Sequence, residues 1–298
     1  MHGGVALVQT LRLGDGRALC ARRWPGRGEE AVVLLHGILD SSEGWSHLCE
    51  ALPGVRRIAF DLPGFGYSDP PPRGSIAGYA RDIAEGLEML GVDRMVLVGH
   101  SLGGAVAAAL AEMFPQRVTA LVLLAPAGFG RLALAQTVMI PGASKLMEVA
   151  LPVLLSSRLA VTTVYVTMVT NGKCPEPGLV ERVTTRGPCL VSGVREGARS
   201  LARADGRADG RARSGTRRRI AYEGPVHAVW GERDRLVPLS HRRGVRAAFP
   251  QTRIHVWKGM GHHAARERAD ALLAVVEQAV LDGRAHRRQV TESLRDAA

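Results

Sequence analysis

Four short stretches of the chain are apolar at nearly every position: Ala31–Leu35 (AVVLL), Met95–Val98 (MVLV), Val118–Leu124 (VTALVLL) and Val226–Trp230 (VHAVW). An unbroken apolar run of this length is the mark of a strand covered on both faces, as in a parallel sheet. Ahead of them, Val5–Leu13 and Ala18–Trp24 flank the turn residues Gly14-Asp15-Gly16 and read as two paired strands. Val55–Phe60 and Arg253–Trp257 add further strands. Helical patterns alternate with them. Trp45–Leu52 is short, and Ile76–Leu90 puts Ile76, Tyr79, Ile83, Leu87 and Leu90 on one face. Ala105–Met113, Ser240–Ala248 and Glu267–Val280 follow. Repeated strand–helix units imply an α/β fold: a mostly parallel sheet with helices on both faces.

The alternation breaks between Phe129 and Tyr222. A structureless loop of that size is implausible in a compact domain. The segment carries helical patterns, with Pro141, Pro152, Pro175, Pro177 and Pro188 as expected breaks, and so predicts an inserted helical cap. The resulting division is a core over 1–128, a cap or lid over 129–222, the rest of the core over 223–282, and a disordered tail over 283–298. The first half of the cap is rich in aliphatic residues such as Leu132, Leu134, Met139, Leu146, Val149 and Val153, and poor in aromatics. Such a lid suits flexible alkyl groups, although most of these side chains are expected to pack the cap against the core.

Composition narrows the function classes. Hydrophobic residues make up 46% of the 298 positions and aromatics only 4%, so the core is mainly aliphatic. The net charge of +11 is mostly arginine, concentrated in Arg195–Arg219 and after Leu281. Neither patch is interleaved with aromatics or matches a nucleic-acid module, so a solvated surface is expected and no nucleic-acid partner. Arg195, Arg199, Arg203, Arg207 and Arg211 recur every fourth residue, which would align them on one helix face. An anion-binding face for a phosphate-bearing acyl carrier is the rival reading. The most apolar region, Leu146–Thr170, is interrupted by Glu148 and Arg158, so no membrane span is expected. No basic segment followed by an apolar run opens the chain, and Cys20, Cys49, Cys174 and Cys189 lack metal-ligand spacing. Free thiols, a cytoplasmic location and neither metal nor cofactor are the expectations.

Candidate chemistry centres on Val96–Ala107, VLVGHSLGGAVA. Gly99-x-Ser101-x-Gly103 stands between a buried-type strand and a small-residue helix, the context in which Gly-x-Ser-x-Gly makes a nucleophile elbow. A strained turn pushes the serine hydroxyl into a cleft, and glycines two positions either side let strand and helix approach. A serine needs a base, and the base an orienting acid. Downstream, one strand ends in Gly231-Glu232-Arg233-Asp234 and another is followed by Gly261-His262-His263. The residues alone leave Glu232 beside Asp234 as the acid, and His263 beside His262 as the base. Asp61 is expected to organise the Leu62-Pro63-Gly64 turn, and His36 and His100 to be structural neighbours.

His36-Gly37, DLPGFGYSD, GHSLGG, WGERDRLVP and GMGH with Glu267 downstream together resemble the α/β-hydrolase superfamily. The likeness is greatest to its lidded serine hydrolases: esterases, thioesterase-like enzymes and carbon–carbon bond hydrolases. The resemblance implies Ser101 as nucleophile, Asp234 as acid and His262 as base, with backbone N–H groups of Ile38 and Leu102 forming the oxyanion hole. It implies a small-molecule acyl substrate, a carboxylic ester or related compound, cleaved through an acyl-enzyme on Ser101. Ser101 argues against the dehalogenases and epoxide hydrolases of this fold, which carry aspartate in the elbow. Carbon–carbon bond hydrolysis by the same triad is the alternative. A non-catalytic ligand-binding protein of this fold is the third reading, disfavoured by the intact triad.

Overall fold

The computed structural model describes residues 5–52, 54–72, 74–132, 135–136, 140, 143–175, 177–206 and 219–296. An eight-stranded sheet runs through the molecule in the order β1-β2-β4-β3-β5-β6-β7-β8. Its strands are β1 (Leu7–Arg12), β2 (Ala18–Trp24), β3 (Arg27–Leu35), β4 (Val55–Phe60), β5 (Arg94–His100), β6 (Val118–Leu124), β7 (Val226–Gly231) and β8 (Arg253–Trp257). Only β1 and β2 run antiparallel to their neighbours; from β4 to β8 every pairing is parallel.

Period-two alternation sorts the strand side chains into two cores. Val33, Leu35, Leu97, Leu121 and Leu123 pack beneath helices α2 (Ile76–Met89) and α3 (Leu102–Met113). Val32, Leu34, Val96, Val98 and Val122 face the other way. There they meet α1 (Ser46–Ala51) and the long helix at the C-terminal end. Both faces are therefore covered, which is why β6 is buried at all of its positions.

Between β6 and β7 lie α4 (Ala143–Ser156), α5 (Arg158–Val164) with a π-helical turn over Tyr165–Val169, and α6 (Pro177–Gly206). Pro152 and Pro188 lie inside helices here, against the expectation that they break them. An interior proline removes one backbone bond and costs about 3 kcal/mol. Close packing between α4 and α6, where Gly187 lets the helix approach the Leu155 backbone, offsets that cost. The chain resumes with α7 (Arg242–Ala248), α8 (Ala264–Glu267) and α9 (Ala269–Asp296). Residues 283–296 are thus helical, not the disordered tail expected. Val275, Val276, Ala279 and Val280 bury one face of α9 in the second core, and the helix propagates beyond them.

The aliphatic residues of the inserted segment divide. Leu132 and Leu155 are buried, whereas Leu146, Val149, Val153 and Leu154 are exposed, so the expectation that most of them pack inward fails for α4. Leu134 and Met139 lie outside the described residues. Of the arginine series, Arg195 pairs with Glu148 and Glu196, Arg199 with Glu196, and Arg203 bonds the Gly74 carbonyl. Arg207 and Arg211 lie outside the described residues. Among those described, all four cysteines are free, and no single helix is long and apolar enough to cross a membrane.

Candidate active site

β5 ends at His100 and α3 begins at Leu102, leaving Ser101 alone at the junction with φ 52° and ψ −114°. A non-glycine residue there stores on the order of 1–3 kcal/mol of strain, so surrounding bonds must hold it. Ser101 N–H donates to the Leu124 carbonyl at 2.9 Å, and the Ser101 carbonyl accepts from Gly104 and Ala127, each at 3.0 Å. The glycines of the motif are needed for contact. A Cβ on Gly99 would overlap the Gly103 carbonyl, and one on Gly103 would overlap the Leu35 carbonyl oxygen. Gly103→Ala is therefore expected to destabilise the protein by about 1–3 kcal/mol, read from the urea midpoint. An unchanged midpoint would contradict the close approach.

The other candidates come from loops at the C-terminal ends of the strands. His262 Nδ1 lies 2.7 Å from Asp234 Oδ2, both side chains almost wholly buried. The other carboxylate oxygen accepts from the Leu236 and Val237 N–H groups at 2.9 and 2.8 Å, fixing the plane of the acid. With Nδ1–H donated to the aspartate, Nε2 of His262 keeps its lone pair. Glu232, the rival acid, instead accepts from the Gly259 N–H at 3.2 Å. The histidine loop is tied to the serine turn: His100, the residue before Ser101, has Nε2 3.0 Å from the His262 carbonyl. His262 N–H donates to the Val169 carbonyl at 2.6 Å, so the inserted segment also anchors this loop.

His263, the rival base, has a different partner. Its Nε2 lies 2.9 Å from Asp40 Oδ2, while Asp40 Oδ1 accepts from Arg266 Nη2 at 3.0 Å. Asp40 also closes the turn that begins at Gly37, with its N–H 3.3 Å from the Gly37 carbonyl and Leu39 at φ 63°. Glu267 completes the arrangement, its two oxygens accepting from the Gly261 and His263 N–H groups. Among the described residues, neither Ile38 nor Leu102 donates its N–H to a protein acceptor. Gly197 of α6 sits directly over both, where a Cβ would lie 3.2 Å from Leu102 Cδ2 and 3.4 Å from Ile38 Cδ1.

Asp61 behaves differently from expectation. It accepts from Ser42 N–H at 2.6 Å and Tyr67 N–H at 2.8 Å, joining two loops instead of bonding within the Leu62–Gly64 turn. The Leu62 N–H goes to His36 Nε2 at 2.9 Å, which places the His36 proton on Nδ1. The Asp40–His263–Arg266 cluster was not legible beforehand. Asp40 stands 223 residues from His263, and no local pattern links them.

Burial dominates the electrostatics. It pushes the imidazoles of His100 and His263 down, so both are neutral near pH 7. Burial alone would raise Asp40, but Arg266 and His263 outweigh it and hold this carboxyl well below its usual range. Burial likewise lowers His227 and His241. An unfolded histidine takes up a proton near pH 6.5. Below that the unfolded state holds more protons than the folded one, so stability is lost as pH falls. The Tm is expected to drop steadily between about pH 7 and pH 5; a constant Tm there would contradict the burial of these rings.

Comparison with known proteins follows the same lines. Residues 30–148 match the family described as the alpha/beta hydrolase fold. A Mycobacterium tuberculosis protein of uncharacterised function is 30% identical over 83% of this chain and 74% of its own length. The chain belongs to the α/β-hydrolase superfamily. The 2-hydroxy-6-oxononadienedioate/2-hydroxy-6-oxononatrienedioate hydrolase of Comamonas testosteroni is 27% identical, covering 83% of this chain and 85% of that enzyme. An esterase from Exiguobacterium antarcticum has the same fold, with TM-score 0.72 and 19% identity over 91% of this chain and 98% of the esterase. Among the described residues, no cluster of three or more His, Cys, Asp or Glu is arranged to hold a metal ion.

Proposed function

We propose that this α/β-hydrolase is a serine hydrolase that cleaves a carboxylic ester or related acyl compound. Ser101 attacks the carbonyl carbon, and its proton passes to His262 Nε2. Asp234 holds the imidazole in the required tautomer and stabilises the imidazolium. The Ile38 and Leu102 N–H groups receive the developing oxyanion, aided by the positive end of α3. The proton on His262 then goes to the leaving alkoxide. Water, deprotonated by the same imidazole, attacks the acyl-enzyme and releases the acid. The observation that carries this reading is the 2.7 Å His262–Asp234 pair on a loop bonded to the residue preceding a strained Ser101.

The helices between β6 and β7 serve as the cap of this site. Support comes from Gly197, packed against the Leu102 and Ile38 side chains, and from the Val169 carbonyl on the His262 loop. A second reading, hydrolysis of a carbon–carbon bond by the same residues, is favoured by the likeness to the Comamonas testosteroni enzyme. A panel of p-nitrophenyl esters of increasing acyl length, run beside a dienol-type diketone substrate, separates the two. Turnover of esters that disappears in Ser101→Ala is expected. Turnover of the diketone alone would transfer the assignment to carbon–carbon cleavage.

A further inference from the structure

Helices α4 and α5 carry an apolar surface that has no partner among the described residues. Val149 is 73% exposed, Val153 69% and Leu159 78%, with Leu146, Leu154 and Val164 also open to solvent. The opposite sides of the two helices are occupied, since Leu155 and Val161 are buried. This is the amphipathic division of an interfacial helix pair, but with the apolar side facing outward. Exposed aliphatic residues scattered singly are ordinary; a cluster on two consecutive helices marks an interaction surface.

Charge says what it fits. Across residues 143–175 the charged side chains are Lys145, Glu148, Arg158 and Lys173. Glu148 is taken up in an ion pair with Arg195 of α6. Lys173 Nζ bonds the Glu267 carbonyl at 3.4 Å, so the charges left to face outward beside the apolar cluster are Lys145 and Arg158, on a chain whose net charge is +11. Neither helix alone is long and apolar enough to cross a membrane; together they are, but they are bent by 99° where they meet. Bent by this much, the pair cannot form one straight span, and helices with an outward apolar side suit the plane of a membrane surface. The same segment also touches the site, through the Val169 carbonyl on His262 N–H and Tyr165 Oη on the Leu39 carbonyl at 3.4 Å.

We propose that the α4–α5 surface docks the protein on an anionic phospholipid bilayer, with the apolar side chains among the acyl chains and Lys145 and Arg158 at the headgroups. The docking itself stands apart from the chemistry proposed above, because it is read by binding and not by turnover.

The test is co-sedimentation of the full-length protein with vesicles of phosphatidylcholine alone or of phosphatidylcholine with phosphatidylglycerol. Binding to the phosphatidylglycerol vesicles is expected, weakening as salt is raised. Lys145→Glu or Arg158→Glu should each weaken it about fivefold or more. The Val149→Glu/Val153→Glu double variant should weaken it by about tenfold or more while leaving the Tm unchanged, since both positions are exposed. Ser101→Ala should bind like the unaltered protein, so a failure of the catalytic assignment leaves this result readable. Equal binding to both vesicle types, no binding to either, or indifference to the double variant would overturn the proposal. A dimer on size exclusion that Val153→Glu dissociates, without vesicle binding, would assign the surface to a second copy of the chain.

Discussion

Replacing Ser101 by alanine is expected to lower kcat by about 10⁴- to 10⁶-fold while leaving the protein folded. Among the described residues the Ser101 hydroxyl has no structural partner, and the turn is held through the Ser101 backbone. Its loss therefore removes the nucleophile and little packing. Alanine at this position also keeps the left-handed φ of the elbow at a cost similar to that of serine. His262→Ala should do comparable damage, and the double variant should be hardly worse than either single one, because nucleophile and base act as a unit. KM should change far less than kcat. His263→Ala provides the contrast. It removes a ring bonded to Asp40, so its effect on turnover should be much smaller than that of His262→Ala. If His263→Ala proved crippling and His262→Ala mild, the base would have to be reassigned.

Asp40→Ala is expected to be the most destabilising single truncation near the site, by about 3–5 kcal/mol. Asp40 is bonded to both His263 and Arg266, and both partner side chains are almost fully buried. Removing it takes the carboxylate away from a buried guanidinium and a buried imidazole, and part of their desolvation cost is then uncompensated. The same change keeps the backbone bond that closes the Gly37–Asp40 turn but frees that turn, in which Ile38 presents its N–H, from its anchor on His263 and Arg266. Turnover should fall as well, through kcat more than KM, since an oxyanion donor acts mainly in the transition state. Equilibrium denaturation and steady-state kinetics on one preparation read both effects. A variant within about 0.5 kcal/mol of the parent protein would show that the cluster contributes no more than an ordinary surface pair.

Much of the architecture was readable because it is locally encoded. Ala18–Trp24, Val55–Phe60, Val118–Leu124 and Arg253–Trp257 are strands with the bounds that the apolar runs suggest. The serine turn was legible for the same reason: strand, glycine spacing and small-residue helix lie within a dozen consecutive residues. The Asp234–His262 pair required the family resemblance to separate it from Glu232 and His263, since both pairs of rivals are near neighbours in sequence. Tertiary context decided what local patterns could not. Prolines at 152 and 188 read as helix breaks, yet packing between α4 and α6 carries the helices through them. Residues 283–296 have the composition of a solvated tail but extend a helix whose earlier turns are buried. The aliphatic content of α4 was plain; which of its faces lacks a partner depends on where α6 lies.

Activity-based labelling of the full-length protein with a small fluorophosphonate, followed by peptide mapping, tests the catalytic assignment most directly. The reagent reacts with a serine only where a base removes its proton and an oxyanion site receives the phosphoryl oxygen. A single adduct on the peptide containing Ser101 is predicted, with labelling strongly slowed in His262→Ala and absent in Ser101→Ala. A folded protein that forms no adduct, or one labelled at another residue with Ser101 untouched, would contradict the account.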